Sequence, residues 1–173
     1  MEIYCIIDVE TSGLSTDKNC ILQVGSIITD SDLNVLHTYK SYVRPWEGAS
    51  IEESAIAING ITEDKYKDAP TEVEAFLALQ DLLRKPKYNP PTYVGYNVQF
   101  DIGFVKSLCF RNRLHMYGNG MIIDLQMMAN DLQGIRKYSL KSTAEHLGVK
   151  PGIHDALEDC VASLEIFRRI TNA

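Results

Sequence analysis

Asp8 and Glu10 stand two apart at the end of the apolar run Ile3-Tyr4-Cys5-Ile6-Ile7. Side chains two apart on a strand share a face, so Ile6, Asp8 and Glu10 are expected to point the same way. Adjacent carboxylates are costly to bury, because each loses water and feels the other's charge. A divalent cation removes both costs, while a strand end hydrated by solvent is the plainer alternative for these two residues alone. Two further acids are expected to face inward. Asp101 falls on one helical stripe with Phe104 and Val105, and Asp159 heads a stripe with Ala162, Ser163, Ile166 and Ile170. Hard oxygen ligands without cysteine or histidine among them suit magnesium or manganese rather than zinc. His154 precedes the last helix on a lead-in expected to be mobile, where an imidazole near carboxylates can take a proton from water. Asp155 and Glu158, three apart at that helix start, are assigned to capping.

These groups need a scaffold, and the chain supplies it in a readable order. Three apolar runs joined by short polar turns (Ile3 to Ile7, Cys20 to Ile28, Val35 to Val43) predict an antiparallel meander. Ser50 with Glu53 predicts a capping box for a helix stopped by Gly60, and Thr71 with Glu74 predicts another for a helix running to Pro86. A short strand, Thr92 to Tyr96, leads into the helix that carries Asp101. Met121 to Ile123, ending at Asp124, is the last strand, followed by a helix from about Leu125 to Leu132. Ser139 is expected to cap a helix closed by Gly148, and the final helix runs from about Asp155 to Ile170. Strands followed by alternating helices and strands predict an α/β layered fold with a mixed sheet.

Length and composition set outer bounds. At 173 residues the chain is expected to form a single domain, residues 1–173. No window reaches the roughly 18 apolar residues of a membrane span, and Met1-Glu2 lacks the basic start of a signal peptide, so a cytoplasmic location without membrane contact is expected. Cys5, Cys20, Cys109 and Cys160 lie too far apart for a zinc knuckle or disulfide framework and read as core residues. A net charge of −6 argues against broad electrostatic capture of nucleic acid, but not against an enzyme whose acids surround metal ions.

Three segments in order, Asp8-Val9-Glu10-Thr11-Ser12-Gly13, Asn97-Val98-Gln99-Phe100-Asp101 and His154-Asp155-Ala156-Leu157-Glu158-Asp159, resemble the motifs of the DnaQ-like (DEDDh) 3′-to-5′ exonucleases. Asn59-Gly60-Ile61-Thr62 stands where that family often has His-Gly-Ile-Thr. The resemblance implies a ribonuclease-H-like α/β fold, with a mixed five-stranded sheet of three antiparallel and two parallel strands flanked by helices. It also implies two divalent cations, Mg2+ or Mn2+, held by Asp8, Glu10, Asp101 and Asp159, with His154 as general base. Thr11 and Leu14 correspond to residues that hold and wedge the terminal nucleotide. Asn97 and Phe100 are expected to shape the site, and Asn59 departs from the usual histidine in a loop that touches substrate. Asp124 is expected to support the site without being a ligand.

The implied activity is release of nucleoside 5′-monophosphates from single-stranded DNA 3′ ends, in proofreading or end trimming, with a DNA polymerase as an expected partner. An exoribonuclease of the oligoribonuclease or ribonuclease T kind is the alternative within enzymes. A polymerase- or nucleic-acid-binding module that has lost catalysis is the alternative outside them, set against by the full complement of acids. Tyr96 and Tyr138 are candidates for stacking on bases, with packing as the plainer role of each.

Overall fold

The first apolar run continues as a strand past both acids. β1 spans Ile3–Thr11 in the computed structural model, which describes residues 1–130 and 139–171. β2 (Ile21–Asp30) and β3 (Val35–Tyr42) follow in antiparallel pairing, while β4 (Thr92–Gly95) and β5 (Ile122–Asp124) add in parallel on the other side of β1. The sheet order is β3-β2-β1-β4-β5, the expected mixed arrangement with β1 at its centre. Cys5, Ile7 and Val9 pack on one face with Phe76, Phe104 and Val105, and Ile6 packs on the other with Val94, Leu125 and Ile166. A strand covered on both faces must be apolar at successive positions, which is why β1 reads as a run and not as an alternation. Enclosing a side chain such as Ile6 contributes on the order of 2 kcal/mol.

The helices cover the two faces of this sheet. α1 (Glu53–Asn59) begins later than its sequence signal, and the capping box expected of Ser50 and Glu53 does not form; Glu52 occupies the cap position without a side-chain bond. Ser50 is already engaged, donating its N–H to Lys18 O and accepting from Ser12 Oγ and Asn19 Nδ2, so it belongs to the loop after β1. Gly60 ends α1 in the left-handed region, φ +64°, as expected. α2 (Glu63–Tyr66) has no side-chain cap and buries no residue, so it leaves no pattern to read. Thr71 and Glu74 cap α3 (Glu72–Leu83) reciprocally, and α3 stops before Pro86 because the residue ahead of a proline disfavours helix.

α4 (Val98–Asn112) follows β4, and α5 (Leu125–Ala129) follows β5. The expected extension of α5 to Leu132 ends outside the described residues. Ser139 caps α6 (Leu140–His146) through a reciprocal pair with Ser142, and α7 (Ala156–Thr171) completes the layer that covers Ile6, Asp8 and Glu10. No helix among the described residues is long and apolar enough to cross a membrane.

Candidate active site

β4 pairs with β1 only as far as Ile6 and Val94, so β1 runs on beyond its parallel neighbour. The Val9 N–H past that point is taken by Asp101 Oδ1 at 2.8 Å. This bond explains why Asp101, in the first turn of α4, is buried beside the end of β1 rather than solvated. Asp8 and Glu10 occupy the β1 face that α7 covers, and Asp159, in the first turn of α7, closes over them. His154 sits in the lead-in to α7 with φ +57°, exposed at the mouth. Asp8, Glu10, Asp101, Asp159 and His154 thus line one cleft of about 370 Å³, together with Asn97 and Phe100.

The electrostatics of that cleft are those of crowded, buried carboxylates. Asp8 is pushed well above the ordinary carboxylate range by burial and then by the charges of Asp101, Asp159 and Glu10. Burial raises Asp101 to about 8, against the opposing effect of the Val9 N–H. Glu10 rises to about 7 through burial and the nearby Asp159 and Asp155, and Asp159 to about 6 through burial, partly offset by His154. Four acids that resist ionisation beside one another form a donor set that divalent cations would complete. Glu10, His154 and Asp159 each offer a ligand atom within 4.8 Å of the others, so His154 stands close enough to serve either as base or as ligand. The carboxylates fit divalent cations that prefer oxygen donors.

A second cleft of about 370 Å³ adjoins the first, sharing Val9, Glu10 and Phe100 with it. Thr11, Leu14 and Asn59 line it, with Ala55 and Ile58 of α1 as an apolar wall. Leu14 is 82% exposed at its rim, whereas Thr11 is buried and donates its hydroxyl to Gly13 O at 2.7 Å. Asn59 donates to Thr11 O at 3.0 Å and accepts from the Ile61 N–H at 3.0 Å, which fastens the end of α1 to β1. Its amide therefore builds the rim of the cleft. Phe100 lies against Phe104 with ring centroids 5.0 Å apart and forms the divide between the two clefts.

The neighbours of these residues have structural duties. Asp124 Oδ1 accepts from the N–H groups of Asn97 and Gln126, both at 3.0 Å; it caps α5 and pins the turn into α4. Asp155 Oδ1 accepts from the Glu158 N–H at 3.3 Å, as a cap should, and its other oxygen pairs with Lys40. Tyr96 is buried with its hydroxyl 2.7 Å from Thr143 Oγ1, so it packs rather than stacks; Tyr138 lies outside the described residues.

Three positioning residues escaped the sequence reading. Gln23, opposite Glu10 in the sheet, accepts the Ala156 N–H at 2.8 Å and seats the start of α7. Gly25, opposite Asp8, leaves room for that helix, since a Cβ there would lie 2.3 Å from the Ala156 backbone. A Cβ on Gly152 would fall 1.4 Å from Asp159 Oδ1, so the His154 lead-in crosses the carboxylate at a distance no side chain permits. Glycine within an apolar strand is a readable sign of close approach, and Gly25 carried it.

Residues 5–167 match the family model for exonucleases of the ribonuclease T type. The chain belongs to this DnaQ-like exonuclease family. This exonuclease-family chain is similar to the DNA polymerase III subunit epsilon of Aquifex aeolicus, 27% identical over 168 residues, with 96% of this chain and 79% of that one covered. It is also similar to ribonuclease T of a Shewanella species, 31% identical over 109 residues, covering 58% of this chain and 49% of the other. The structure of E. coli exonuclease I in complex with a dT13 oligonucleotide superposes with a TM-score of 0.84 at 22% identity, over 99% of this chain and 41% of that one. That likeness establishes the ribonuclease-H-like fold. The chain spans less than half of those last two proteins and 10% of a PolC-type DNA polymerase III from Pediococcus pentosaceus.

Proposed function

We propose that the chain hydrolyses the terminal phosphodiester at the 3′ end of single-stranded DNA, releasing nucleoside 5′-monophosphates one at a time with the help of divalent cations. The observation that carries this reading is the convergence of Asp8, Glu10, Asp101, Asp159 and His154 on one cleft, continuous at Phe100 with a second cleft walled by Leu14, Ala55 and Ile58. When bound, two magnesium or manganese ions supply Lewis acidity, lower the pKa of a bound water and neutralise charge on the leaving oxygen. Asp8, Glu10, Asp101 and Asp159 are the residues that would hold them. Leu14 and Ile58 would cover the terminal base, fixing the scissile phosphate over the carboxylates.

His154 would take a proton from the attacking water. The water oxygen then forms the new bond to phosphorus, and the bond to the 3′-oxygen of the penultimate nucleoside breaks, that oxygen leaving as a hydroxyl after protonation from solvent. The exposure of His154 lets it return its proton to bulk water after each turnover.

End-labelled single-stranded DNA and RNA of equal sequence, each with magnesium, manganese or a chelator, test the reading. Stepwise mononucleotide release from DNA with metal, and none with chelator, is expected. Release from RNA alone would move the assignment to an exoribonuclease, a substrate favoured by the similarity to ribonuclease T. Binding without cleavage refutes the enzymatic reading. The similarity to a protein named DNA polymerase III subunit epsilon supports association with a replicative polymerase, which co-elution with a polymerase catalytic subunit would test.

A further inference from the structure

We propose that Lys141 grips the phosphate one step upstream of the scissile one, so that short substrates are cleaved better when they carry a 5′-phosphate. The proposal rests on the exonuclease reading above. Among the described residues, the basic side chains lining the acid cleft are His154 and Lys141. Lys141 stands on α6 next to Leu140, which lines the same wall. The position of its backbone is set firmly. Ser139 caps α6, Thr143 and Ala144 are buried, and the bond between Thr143 Oγ1 and the Tyr96 hydroxyl ties the helix to the turn that bears Asn97.

The ammonium, by contrast, is uncommitted. Lys141 is exposed, and among the described residues no carboxylate lies within ion-pair distance of it. An exposed lysine is ordinarily just a solvated charge, but this one forms part of a wall facing four carboxylates in a chain of net charge −6. Cations in the cleft would answer those acids and the scissile phosphate, leaving the next phosphate for Lys141.

The path of the strand follows from the two clefts. With the terminal nucleoside between Leu14 and Ile58, the scissile phosphate falls at the carboxylates. The chain then continues past Phe100 and Asn97 toward the Lys141 wall, and the second phosphate arrives there. A lysine holds phosphate as a mobile point charge, which suits a strand that must advance by one nucleotide after each cleavage.

Two dinucleotides isolate the contact: dithymidylate, whose only phosphate is the scissile one, and its 5′-phosphorylated form, which adds the upstream phosphate. The unmodified protein is expected to prefer the phosphorylated form about tenfold in kcat/KM, mostly through KM, the scale of one charge-assisted bond. Lys141→Ala should bring that preference close to one, and Lys141→Arg should restore most of it. On longer oligonucleotides the salt dependence of binding by Lys141→Ala should weaken by about one counterion. Unchanged thermal melting would show that the exposed substitution leaves the fold intact. Equal cleavage of the two dinucleotides by the unmodified protein, or an undiminished preference in Lys141→Ala, overturns the assignment while leaving the exonuclease reading in place. Failure to cleave any oligonucleotide overturns that reading and this proposal with it.

Discussion

Gly25→Ala is expected to lower kcat/KM for a single-stranded 3′ end by roughly a hundredfold while leaving the protein folded. Gly25 makes no contact with substrate in the proposed mechanism; it faces the backbone at the start of α7. A Cβ there would sit 2.3 Å from Ala156, and ordinary contact begins near 3.4 Å, so helix and strand must part by about 1 Å. The atoms it would meet belong to the backbone of Ala156 and Leu157, which has no alternative rotamer, and the displacement passes directly to His154 and Asp159 at that end of α7. A shift of about 1 Å in reacting groups typically costs 10²-fold in rate. Forcing an extra methyl into a packed contact costs about 1–3 kcal/mol, short of unfolding a domain of ordinary stability. The assay is release of labelled mononucleotide, with thermal melting as the check on folding. Gly103→Ala serves as the comparison, because its Cβ would meet Thr16 at an ordinary 3.6 Å within helix α4, and alanine there should be neutral or stabilising by about 0.5–1 kcal/mol. Undiminished activity of Gly25→Ala with an unchanged melting temperature would refute the argument that this close approach positions the last helix.

Asp8→Asn should abolish metal-dependent digestion and leave melting of the metal-free protein equal or higher, since a carboxyl that is costly to ionise in that cleft gives way to a neutral amide; retained digestion would remove Asp8 from the site. His154→Ala should lower kcat by about 10²- to 10⁴-fold with little change in KM, and an unchanged kcat would exclude the base role. Metal-free protein should lose stability as pH rises from about 4 to 8. In that window the folded acids, at about 6, 7 and 8 for Asp159, Glu10 and Asp101, hold protons that the unfolded ones have lost. Glu10 alone, at about 7 against 4.5, accounts for up to about 3 kcal/mol, and saturating magnesium should flatten the dependence. Melting curves with chelator and with magnesium at pH 5 and pH 8 check this, and identical curves would show that the acids are not coupled as described.

Much of this was legible in residue order because the relevant forces are local. The apolar run before Asp8, the Thr71–Glu74 and Ser139 caps and the stripe headed by Asp159 each follow from the period of one element. Ser50 misled because its hydrogen bonds go to a loop more than thirty residues earlier, and a capping signal carries no record of such competition. Gln23 carries no signal within its own strand, because the start of α7 that rests on it comes 133 residues later.

By itself, the sequence determined which side chains could share a face: Asp8 with Glu10 on β1, Asp101 inward on α4, Asp159 inward on α7, and His154 just outside that helix. Strand and helix periods are properties of the backbone and need no partner. Only the tertiary structure decided that these faces meet, because their meeting depends on lengths and spaces in different elements. β4 ends early enough to free the Val9 N–H for Asp101, Gly25 is small enough to admit α7, and Gly152 lets the histidine lead-in pass over Asp159.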